Sequence, residues 1–299
     1  MSLVCVLGSL NVDVSYRVRQ LPVAGETVLA TDRARAFGGK GGNQAVAAAA
    51  LGADVRFVGA VGTDAAGQSY LTHLRASGIE VSGITEIPDV ATGTATIVVD
   101  DRGENLIVVD PAANSCLQPG DVRAAVRSGR PAVLLAQLEI PIDVLEAAAG
   151  AVADETTVVL NPAPMPPDAT RLAAVLERVD VLIPNRKELG QFAGCEEPRS
   201  LDEVSRCLSA LPFTGTVVVT LGADGAVVAS PGRDPLHVPA MALEPVDTTG
   251  AGDAFCGAMA AELAAGTDLM GAVRRAVEVA GRSTLIRGAQ LTSPLRGAT

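Results

Sequence analysis

Short apolar runs rich in β-branched residues alternate with helix-length segments along most of this chain. The runs are apolar almost throughout, as in parallel strands that helices cover on both faces, whereas half-exposed strands alternate apolar with polar residues. The chain is therefore predicted to be an α/β protein with an open, mainly parallel sheet. The predicted strands are Leu3–Leu7, Val55–Ala60, Ala132–Ala136, Thr157–Leu160, Val181–Ile183 and Thr216–Leu221. The predicted helices are Asn43–Leu51, Gly67–Ser77, Ile142–Val152, Thr170–Val179, Leu201–Leu211, Asp253–Ala265 and Asp268–Ile286.

Two stretches outside this alternation have the character of a second, smaller β-structure. The first has apolar residues at every second position, which is typical of a half-buried strand. The second has two strand-length runs joined by a turn that contains Gly103. A small sheet standing off the α/β core and a hairpin added to the edge of the main sheet fit these patterns equally well. The strand candidates are Val14–Val18, Thr27–Phe37, Thr94–Asp100 and Asn105–Asp110, so a small sheet would use about residues 12–37 and 93–111.

The composition argues against several classes of function. The 299 residues carry a net charge of −11, so the chain lacks the basic face with which nucleic-acid-binding proteins neutralise phosphates. No uncharged apolar run reaches the ~18 residues of a membrane-spanning helix. The five cysteines are scattered and include no CxxC pair, which favours free thiols in a cytoplasmic protein over disulfides or a zinc site. We expect one domain over residues 1–299 that binds neither nucleic acid nor membranes.

A glycine-rich segment, Phe37-Gly38-Gly39-Lys40-Gly41-Gly42-Asn43, leads into the predicted helix Asn43–Leu51. Glycines at a helix start allow a ligand to approach the backbone, and the helix N-terminus favours an anion or another polar group. A tight turn accounts for two glycines, whereas four glycines around one of only two lysines in the chain favour a binding loop. The segment is not a P-loop, because Lys40 is followed by Gly41.

A second glycine-rich turn, Asp247-Thr248-Thr249-Gly250-Ala251-Gly252-Asp253, opens the predicted helix Asp253–Ala265. The backbone N–H groups of Gly250, Ala251 and Gly252 can form an anion hole at such a turn. Two interpretations of Asp253 fit its position. It either complements the helix dipole, or it is the general base for a hydroxyl group that attacks a phosphoryl group.

Polar residues follow four of the predicted strands at their carboxyl ends. In open α/β sheets the ligand crevice lies outside these ends, so several polar groups there indicate a site. Each group alone carries little weight, because loops are polar in any case. The segments are Ser9–Asp13, Gln137–Glu139, Asn185–Glu188 and Thr220–Gly225.

These segments resemble the signatures of the ribokinase-like sugar kinase family, the phosphofructokinase B type. Gly38–Asn43 and Gly59–Gly67 resemble its N-terminal signature, and Asp247–Phe255 resembles its C-terminal signature. The resemblance covers essentially the whole chain and is strongest to the ribokinase branch. Gly42 stands where members usually have Ala, which we expect to be a minor departure. The resemblance implies helices on both faces of the sheet and a small β-sheet lid over the sugar, through which ribokinases also form homodimers.

The resemblance also implies an activity, the ATP-dependent phosphorylation of D-ribose to D-ribose 5-phosphate, with Mg²⁺ bound to ATP and K⁺ as an activating cation. The alternatives are a kinase for deoxyribose, fructose, a keto-acid sugar or a nucleoside, and a non-catalytic sugar-binding protein on the same fold. The five Phe and two Tyr offer few stacking partners for a nucleoside base. The presence of Asp253 counts against a non-catalytic protein.

Matching the family's functional positions assigns a role to individual residues. The sugar hydroxyls are assigned to Asn11, Asp13, Gly39, Lys40, Asn43, Glu139 and Asp253, with Asp253 as catalytic base and Gly250, Ala251 and Gly252 as the anion hole. The nucleotide is assigned to Asn185, Thr220, Gly222 and Gly252, and magnesium, indirectly, to Glu188. The monovalent cation is assigned to Asp247, Thr249, Ser283, Ile286, Gly288 and Thr292.

Overall fold

The computed structural model describes residues 2–291, which form two β-sheets and a set of helices around the larger sheet. The strands are β1 (Leu3–Leu7), β2 (Asn11–Arg17), β3 (Asp32–Gly38), β4 (Asp54–Gly62), β5 (Glu80–Ile87), β6 (Gly93–Val99), β7 (Asn105–Asp110), β8 (Val133–Gln137), β9 (Thr157–Asn161), β10 (Val181–Leu182), β11 (Thr216–Thr220), β12 (Ala226–Ala229) and β13 (Leu236–Val238). The helices are α1 (Lys40–Ala50), α2 (Ala65–Ala76), α3 (Pro119–Gly129), α4 (Ile142–Ala149), α5 (Ala173–Leu176), α6 (Arg186–Ala193), α7 (Leu201–Ala210), α8 (Ala251–Ala264) and α9 (Leu269–Ser283).

The larger sheet has the order β13-β12-β11-β10-β9-β8-β1-β4-β5, and its strands are parallel from β11 to β5. Separate apolar clusters cover its two faces, and its central strands are buried along their whole length. The predicted parallel sheet is confirmed. The strand β1 lies between β4, which follows it in the chain, and β8, which comes later. The chain therefore leaves β1 and β8 in opposite directions, and this is where an open α/β sheet has its crevice.

The smaller sheet has the order β3-β2-β6-β7 and is separate from the larger one. This settles the two arrangements left open by the sequence in favour of a small sheet standing off the core. Three residues, Gly8, Ser9 and Leu10, connect β1 to β2, and β3 ends at Gly38 directly before α1. Two of the four connections between the core and the small sheet, called the lid below, therefore lie beside the crevice at the carboxyl end of β1; the other two join β5 to β6 and β7 to the segment before α3.

The helix α1 begins at Lys40 and not at the predicted Asn43, so Gly41 and Gly42 lie within its first turn. The reason is tight packing against the segment that follows β1. A Cβ atom on Gly41 would lie 2.7 Å from the Ser9 nitrogen, and the Gly42 N–H donates to the Ser9 carbonyl oxygen at 3.0 Å. Two of the four glycines thus serve close backbone packing rather than a flexible loop.

The expectation that Gly42 is a minor departure is wrong. A Cβ atom there would lie 2.0 Å from the Tyr70 hydroxyl oxygen. That hydroxyl donates to the Gly38 carbonyl oxygen at 2.5 Å, where the lid joins α1, and the Tyr70 ring stacks on Phe37 with centroids 4.8 Å apart. Glycine at position 42 is what allows Tyr70 to anchor this end of the lid.

Other differences concern helix boundaries. The predicted helix Thr170–Val179 is a 3-10 turn at Ala169–Leu172 followed by the short α5. The helices α3 and α6 were not predicted, although Pro119 at the first position of α3 is a common helix start. Within residues 2–291, no helix combines the length and apolarity needed to cross a bilayer.

Candidate active site

Residues at or after the ends of β9, β10 and β11 meet the first turns of α1 and α8 in the crevice outside the carboxyl ends of the parallel strands. A cavity of about 150 Å³ lies there, open on one side. Its lining includes Lys40, Asn161, Asn185, Glu188, Thr220, Asp253 and the turn Gly250–Gly252. Two of the polar segments predicted at strand ends, Asn185–Glu188 and Thr220–Gly225, therefore reach the same cavity as Lys40 and the turn before α8.

Asp253 is the third residue of α8 and is only 8% exposed. Its carboxylate accepts two hydrogen bonds from α1: Asn43 Nδ2 donates to Oδ2 at 2.9 Å and Gln44 Nε2 donates to Oδ1 at 3.0 Å. The Asn43 carbonyl oxygen Oδ1 is buried and has no hydrogen-bond partner among the described residues. An orphaned acceptor beside a buried carboxylate is a natural position for a ligand hydroxyl group.

The pKa of Asp253 lies above its ordinary value because burial disfavours the charged form. The positive charge of Lys40 and the hydrogen bonds from Asn43 and Gln44 oppose that effect. The group is thus a carboxylate with increased basicity, held in a defined orientation. That is the character of a general base, and the dipole of α8 alone does not require it.

The turn before α8 presents backbone N–H groups to the cavity. Gly250 is the N-cap residue with φ 75°, a conformation that favours glycine, and a Cβ atom there would lie 2.3 Å from the Ala289 carbonyl oxygen. The Ala251 N–H bonds to the Thr248 carbonyl oxygen at 3.3 Å. The N–H groups of Gly250 and Gly252 have no such acceptor among residues 2–291 and remain available to an anion at the positive end of the helix.

Lys40 connects the two halves of the site. Its backbone N–H donates to Glu139 Oε2 at 3.0 Å, and the same oxygen accepts a short hydrogen bond from the Ser9 hydroxyl group. Its side chain lines the cavity that contains Glu188 and Asp253. Burial alone would lower the pKa of Lys40, but the surrounding carboxylates, Asp253 foremost, outweigh burial and raise it. Lys40 is therefore a half-buried cation that lines the same cavity as the turn Gly250–Gly252.

Asn11 and Asp13 extend from the same face of β2 at the floor of the lid. The Asn11 side-chain oxygen accepts from Asn114 Nδ2 at 2.8 Å, and Asn11 Nδ2 has no hydrogen-bond partner in the described part of the chain. The Asp13 carboxylate lies over Gly38, where a Cβ atom would come within 2.1 Å of it. Burial, with the nearby charges of Glu139 and Asp253, raises the pKa of Asp13 to about 6. One free amide donor and one basic carboxylate suit a polyhydroxy ligand.

Four amide side chains, three of them buried and one, Asn161, half-buried, belong to the site, although the sequence interpretation gave them no role. Asn114 bonds the backbone N–H and carbonyl group of Leu10 and so fixes the start of β2. The other three, Gln44, Gln137 and Asn161, form hydrogen bonds behind Asp253. Gln44 stands beside the glycine-rich segment and Gln137 at a strand end, so both lie next to or within segments that the sequence predicts to be near the site. No spacing in the sequence indicates that the two side chains contact each other.

Asn185 and Glu188 form a capping box at the start of α6. Glu188 Oε2 accepts from the Asn185 N–H at 2.9 Å and Oε1 from Asn185 Nδ2 at 2.8 Å. Burial raises the pKa of Glu188. Thr220 pairs with Asn185 as an isolated parallel bridge and also lines the cavity, whereas Gly222, at φ 62°, begins a 3-10 turn outside it.

Within residues 2–291, no group of three or more His, Cys, Asp or Glu side chains is placed to hold a metal ion alone. Both oxygens of Glu188 are already hydrogen-bonded to Asn185. With both oxygens so engaged, Glu188 would reach a magnesium ion that arrives with nucleotide phosphates through water rather than directly.

The two segments assigned to a monovalent cation lie side by side. Asp247 accepts from the N–H groups of Thr249 and Gly288, both at 2.9 Å, and the N–H groups of Val246 and Asp247 donate to the Thr284 carbonyl oxygen. Burial opposes ionisation of Asp247, but the hydrogen bonds from Gly288 and Thr249 outweigh it and lower the pKa of Asp247. Ser283 is buried at the end of α9, and Ile286 follows in the same segment. Thr292 lies outside the described residues.

Comparison with known proteins agrees with this geometry along nearly the whole chain. A family model described as pfkB family carbohydrate kinase matches residues 1–296. A ribokinase from Bacillus subtilis (strain 168) is 36% identical over 295 residues, 98% of this chain and 96% of that protein. A deoxyribokinase from Salmonella typhi is 32% identical over 295 residues, 97% of this chain and 95% of that protein. The structure of an Arabidopsis thaliana ribokinase complexed with ribose and ATP superposes with a TM-score of 0.85 at 29% identity, covering 96% of this chain and 94% of that one.

Proposed function

This chain belongs to the pfkB family of carbohydrate kinases, and we propose that its reaction is the ATP-dependent phosphorylation of D-ribose to D-ribose 5-phosphate. The observation that carries the proposal is that Asn43 donates through Nδ2 to the buried Asp253 carboxylate while its side-chain oxygen Oδ1 has no partner among the described residues. Together they offer a proton acceptor and a hydroxyl-binding oxygen at one point. Asn11, Asp13 and Glu139 surround that point with further polar groups, as a polyhydroxy sugar needs.

In the proposed reaction, Asp253 accepts the proton of the sugar 5-hydroxyl as its oxygen attacks the γ-phosphorus of ATP. A new oxygen–phosphorus bond forms, the bond from the γ-phosphorus to the bridging oxygen breaks, and ADP leaves with that electron pair. The raised pKa of Asp253 suits this step, because a base works best when its pKa approaches the operating pH.

The phosphoryl groups would lie between the N–H groups of Gly250 and Gly252 and the ammonium group of Lys40. We therefore assign the Lys40 side chain to phosphate, while its backbone N–H helps to hold Glu139 at the sugar side. Glu188 would hold, through water, the magnesium ion that arrives with ATP, and that ion would supply charge neutralisation on the phosphates. Asn185 and Thr220 line the nucleotide side of the same cavity.

Several further proposals rest on the family resemblance. The core and its lid act as one domain, the segments around Asp247 and Gly288 hold an activating K⁺, and two copies associate through the lid. We also propose a cytoplasmic location, where ATP is present and thiols stay reduced. The free thiols of the described cysteines are compatible with it.

A coupled assay for ADP release, with ATP and a panel of acceptors, tests the function. Hydroxyl-binding groups left unpaired by a wrong acceptor cost ~1–3 kcal/mol. We therefore expect kcat/KM for D-ribose to exceed the values for fructose and adenosine by at least about tenfold. Equal or faster turnover of fructose or adenosine would overturn the assignment to ribose.

The deoxyribokinase relative makes 2-deoxyribose the sharpest comparison in that panel. The two sugars differ by one hydroxyl group, whose loss leaves protein partners unpaired if the site binds it. A preference for D-ribose over 2-deoxyribose supports the proposal, and the opposite preference would assign the chain to the deoxyribose branch.

A further inference from the structure

A line of buried amides leads from Asp253 into the protein interior. Gln44 Nε2 donates to Asp253 Oδ1 at 3.0 Å, and Gln137 Nε2 donates to Gln44 Oε1 at 2.7 Å. Both glutamine residues are fully buried. The line ends at Gln137 Oε1, which has no hydrogen-bond partner among the described residues. Unpartnered buried side-chain oxygens are uncommon in folded proteins and call for an explanation.

The explanation is that the ionised Asp253 carboxylate fixes the orientation of the Gln44 amide group, which in turn fixes the orientation of the Gln137 amide group. An ionised carboxylate only accepts hydrogen bonds, so Gln44 must turn its NH₂ group toward Asp253. Its carbonyl oxygen then faces Gln137, which must in turn present its own NH₂ group. Reversing Gln137 would place two carbonyl oxygens against each other, so its oxygen remains without a partner.

The backbone leaves room for that orphaned oxygen. A Cβ atom on Gly8 would lie 2.0 Å from Gln137 Oε1 and 2.8 Å from the Gly41 Cα atom. Glycine at the end of β1 is therefore needed to seat the Gln137 side chain in this orientation.

Gln44 is also held from the opposite side of the crevice. Its Nε2 donates a second bond to Asn161 Oδ1 at 3.2 Å, and Asn161 Nδ2 donates to the Ile183 carbonyl oxygen at 2.8 Å. Gln44 is thus tied to β8 through Gln137 and to the ends of β9 and β10 through Asn161. A side chain fixed from both sides holds the carboxylate it contacts in a fixed position.

We propose that Gln44 is a positioning residue for phosphoryl transfer, which holds the Asp253 carboxylate as a proton acceptor facing the sugar, and that Gln137 acts through Gln44 by fixing the direction of its amide. The inference rests on the proposed role of Asp253 as general base. Neither glutamine touches the substrate in this scheme. Charged or titratable groups around Asp253 that bear on its protonation are Lys40, Asp13, Glu139, Glu188 and Cys256.

The test replaces each glutamine by methionine, which keeps the volume of the side chain and removes both ends of the amide. Without the bond from Gln44 the charged form of Asp253 is less stable, so its pKa rises. For Gln44→Met we expect kcat to fall about tenfold or more, KM for D-ribose to change less than about threefold, and the acid limb of the kcat profile to move up by about one pH unit.

Gln137→Met should lower kcat and move the acid limb in the same direction, but by less, because Gln44 keeps its bond to Asp253 and loses only its orientation. The double variant should match Gln44→Met, since residues that act in series are not additive. Independent, multiplying effects of the two substitutions would overturn the series arrangement. An unmoved acid limb in Gln44→Met would overturn the positioning role itself.

Gln290→Met is the matched control. Gln290 is a partly buried glutamine that bonds to Tyr70 and His73 and makes no contact with Asp253. The Gln290→Met variant should keep the acid limb of the kcat profile at the wild-type pH, even if its melting temperature is lower. If Gln44→Met does not fold, the test depends on the kcat pH profile of Gln137→Met alone. An acid limb at the wild-type pH in that variant would overturn the inference.

Failure of this inference is distinguishable from failure of the proposed function. The amide variants are measured with whichever sugar the wild-type protein phosphorylates fastest, so a different sugar leaves the test intact. If Asp253→Asn keeps normal turnover, the general-base role fails, and the inference fails with it whatever the glutamine variants do.

Discussion

A conservative substitution at Asp253 can separate its proposed role as general base from its contribution to the stability of helix α8. Asp253→Asn keeps the shape, the helix position and a hydrogen-bond acceptor, but removes the basic oxygen. We expect kcat to fall by ~10²–10⁴, the usual contribution of a positioned general base, and ribose affinity to stay within a few-fold. Kinetics and a binding titration on one variant measure both quantities.

Asp121 provides the matched control for that variant. It is also the third residue of its helix, α3, is exposed to solvent and does not line the cavity. Asp121→Asn should cost only the ~0.3–1 kcal/mol of a helix-dipole interaction and leave kcat unchanged. If Asp253→Asn behaves in the same way, Asp253 serves the helix and not the reaction.

The carboxyl group of Asp13 is expected to make the free energy of unfolding depend on pH. Its pKa is about 6 in the folded protein against an ordinary value of 3.8, so the folded state binds the proton more tightly than the unfolded state. Between these values stability falls as pH rises, and above about pH 6 the folded protein carries the full cost of the buried charge. Asp13→Asn should therefore be more stable than wild type by about 2 kcal/mol at pH 8, with the difference vanishing near pH 4.

Denaturant titrations of the ligand-free protein at pH 8, 6 and 4 measure that difference. Asp101→Asn, an exposed carboxylate on the lid turn, is the control and should show no such trend. The same Asp13 variant should bind D-ribose at least about tenfold more weakly, because a charged hydroxyl acceptor is lost. A stability gain that is equal at all three pH values would mean that burial of the charge is not its cause.

Asp247 accepts hydrogen bonds from two chain segments that we assign to a monovalent cation, so kcat is expected to depend on which monovalent cation is present. Carboxylate and backbone carbonyl oxygens suit a large hard cation, and Asp247 links the turn before the anion hole to the end of α9. We expect kcat at fixed Mg²⁺ to be higher in K⁺ than in Na⁺ at equal ionic strength. Asp247→Ala should remove the difference between the two salts. Identical rates in K⁺ and Na⁺ for the wild type would rule out the site.

Regular elements were predictable where the pattern is local, and their ends were not. Six of the nine strands of the larger sheet were predicted from continuous apolar runs, which burial on both faces requires, whereas β5, β12 and β13 at or next to its edges were missed. The start of α1 was missed because Gly41 and Gly42 are in the helix to pack against Ser9, and sequence alone does not show that contact. The helix α6 was missed although Asn185 and Glu188 have capping-box spacing, because the pair was interpreted only as a binding motif.

The candidate site was predictable to the extent that its residues lie in glycine-rich turns or at strand ends. Asp253 was identified from such a position and Asn43 from the family resemblance, and the fold places the two side chains in direct contact across the crevice. The supporting amides depend on contacts between residues far apart in the chain: Gln44 meets Gln137 across 93 positions. Contacts of that range are set by the topology of the sheet, which no local pattern encodes.

The lid has an exposed apolar edge, which at the scale of the whole molecule predicts association. The edge strand β7 leaves Leu106, Ile107, Val108 and Val109 between 45% and 59% exposed, so neither of its faces is covered. The opposite edge, β3, presents Asp32, Arg33 and Arg35 instead, and such charges protect an edge from pairing. An uncovered apolar edge of this kind is typical of an interface.

We therefore expect the protein to elute as a dimer, with about twice the 30.3 kDa mass of the chain by light scattering. Ile107→Lys should shift it to the monomer, since each interface would bury two added charges. Leu236→Lys is the control, because Leu236 is 52% exposed, close to the 53% of Ile107, but lies on β13 at the far edge of the larger sheet. A monomeric wild type, or an Ile107→Lys protein that stays dimeric, would exclude association through this edge. If the lid also closes more readily when a second lid supports it, the monomeric variant should show a raised KM for D-ribose, whereas the Leu236→Lys protein should keep the wild-type value.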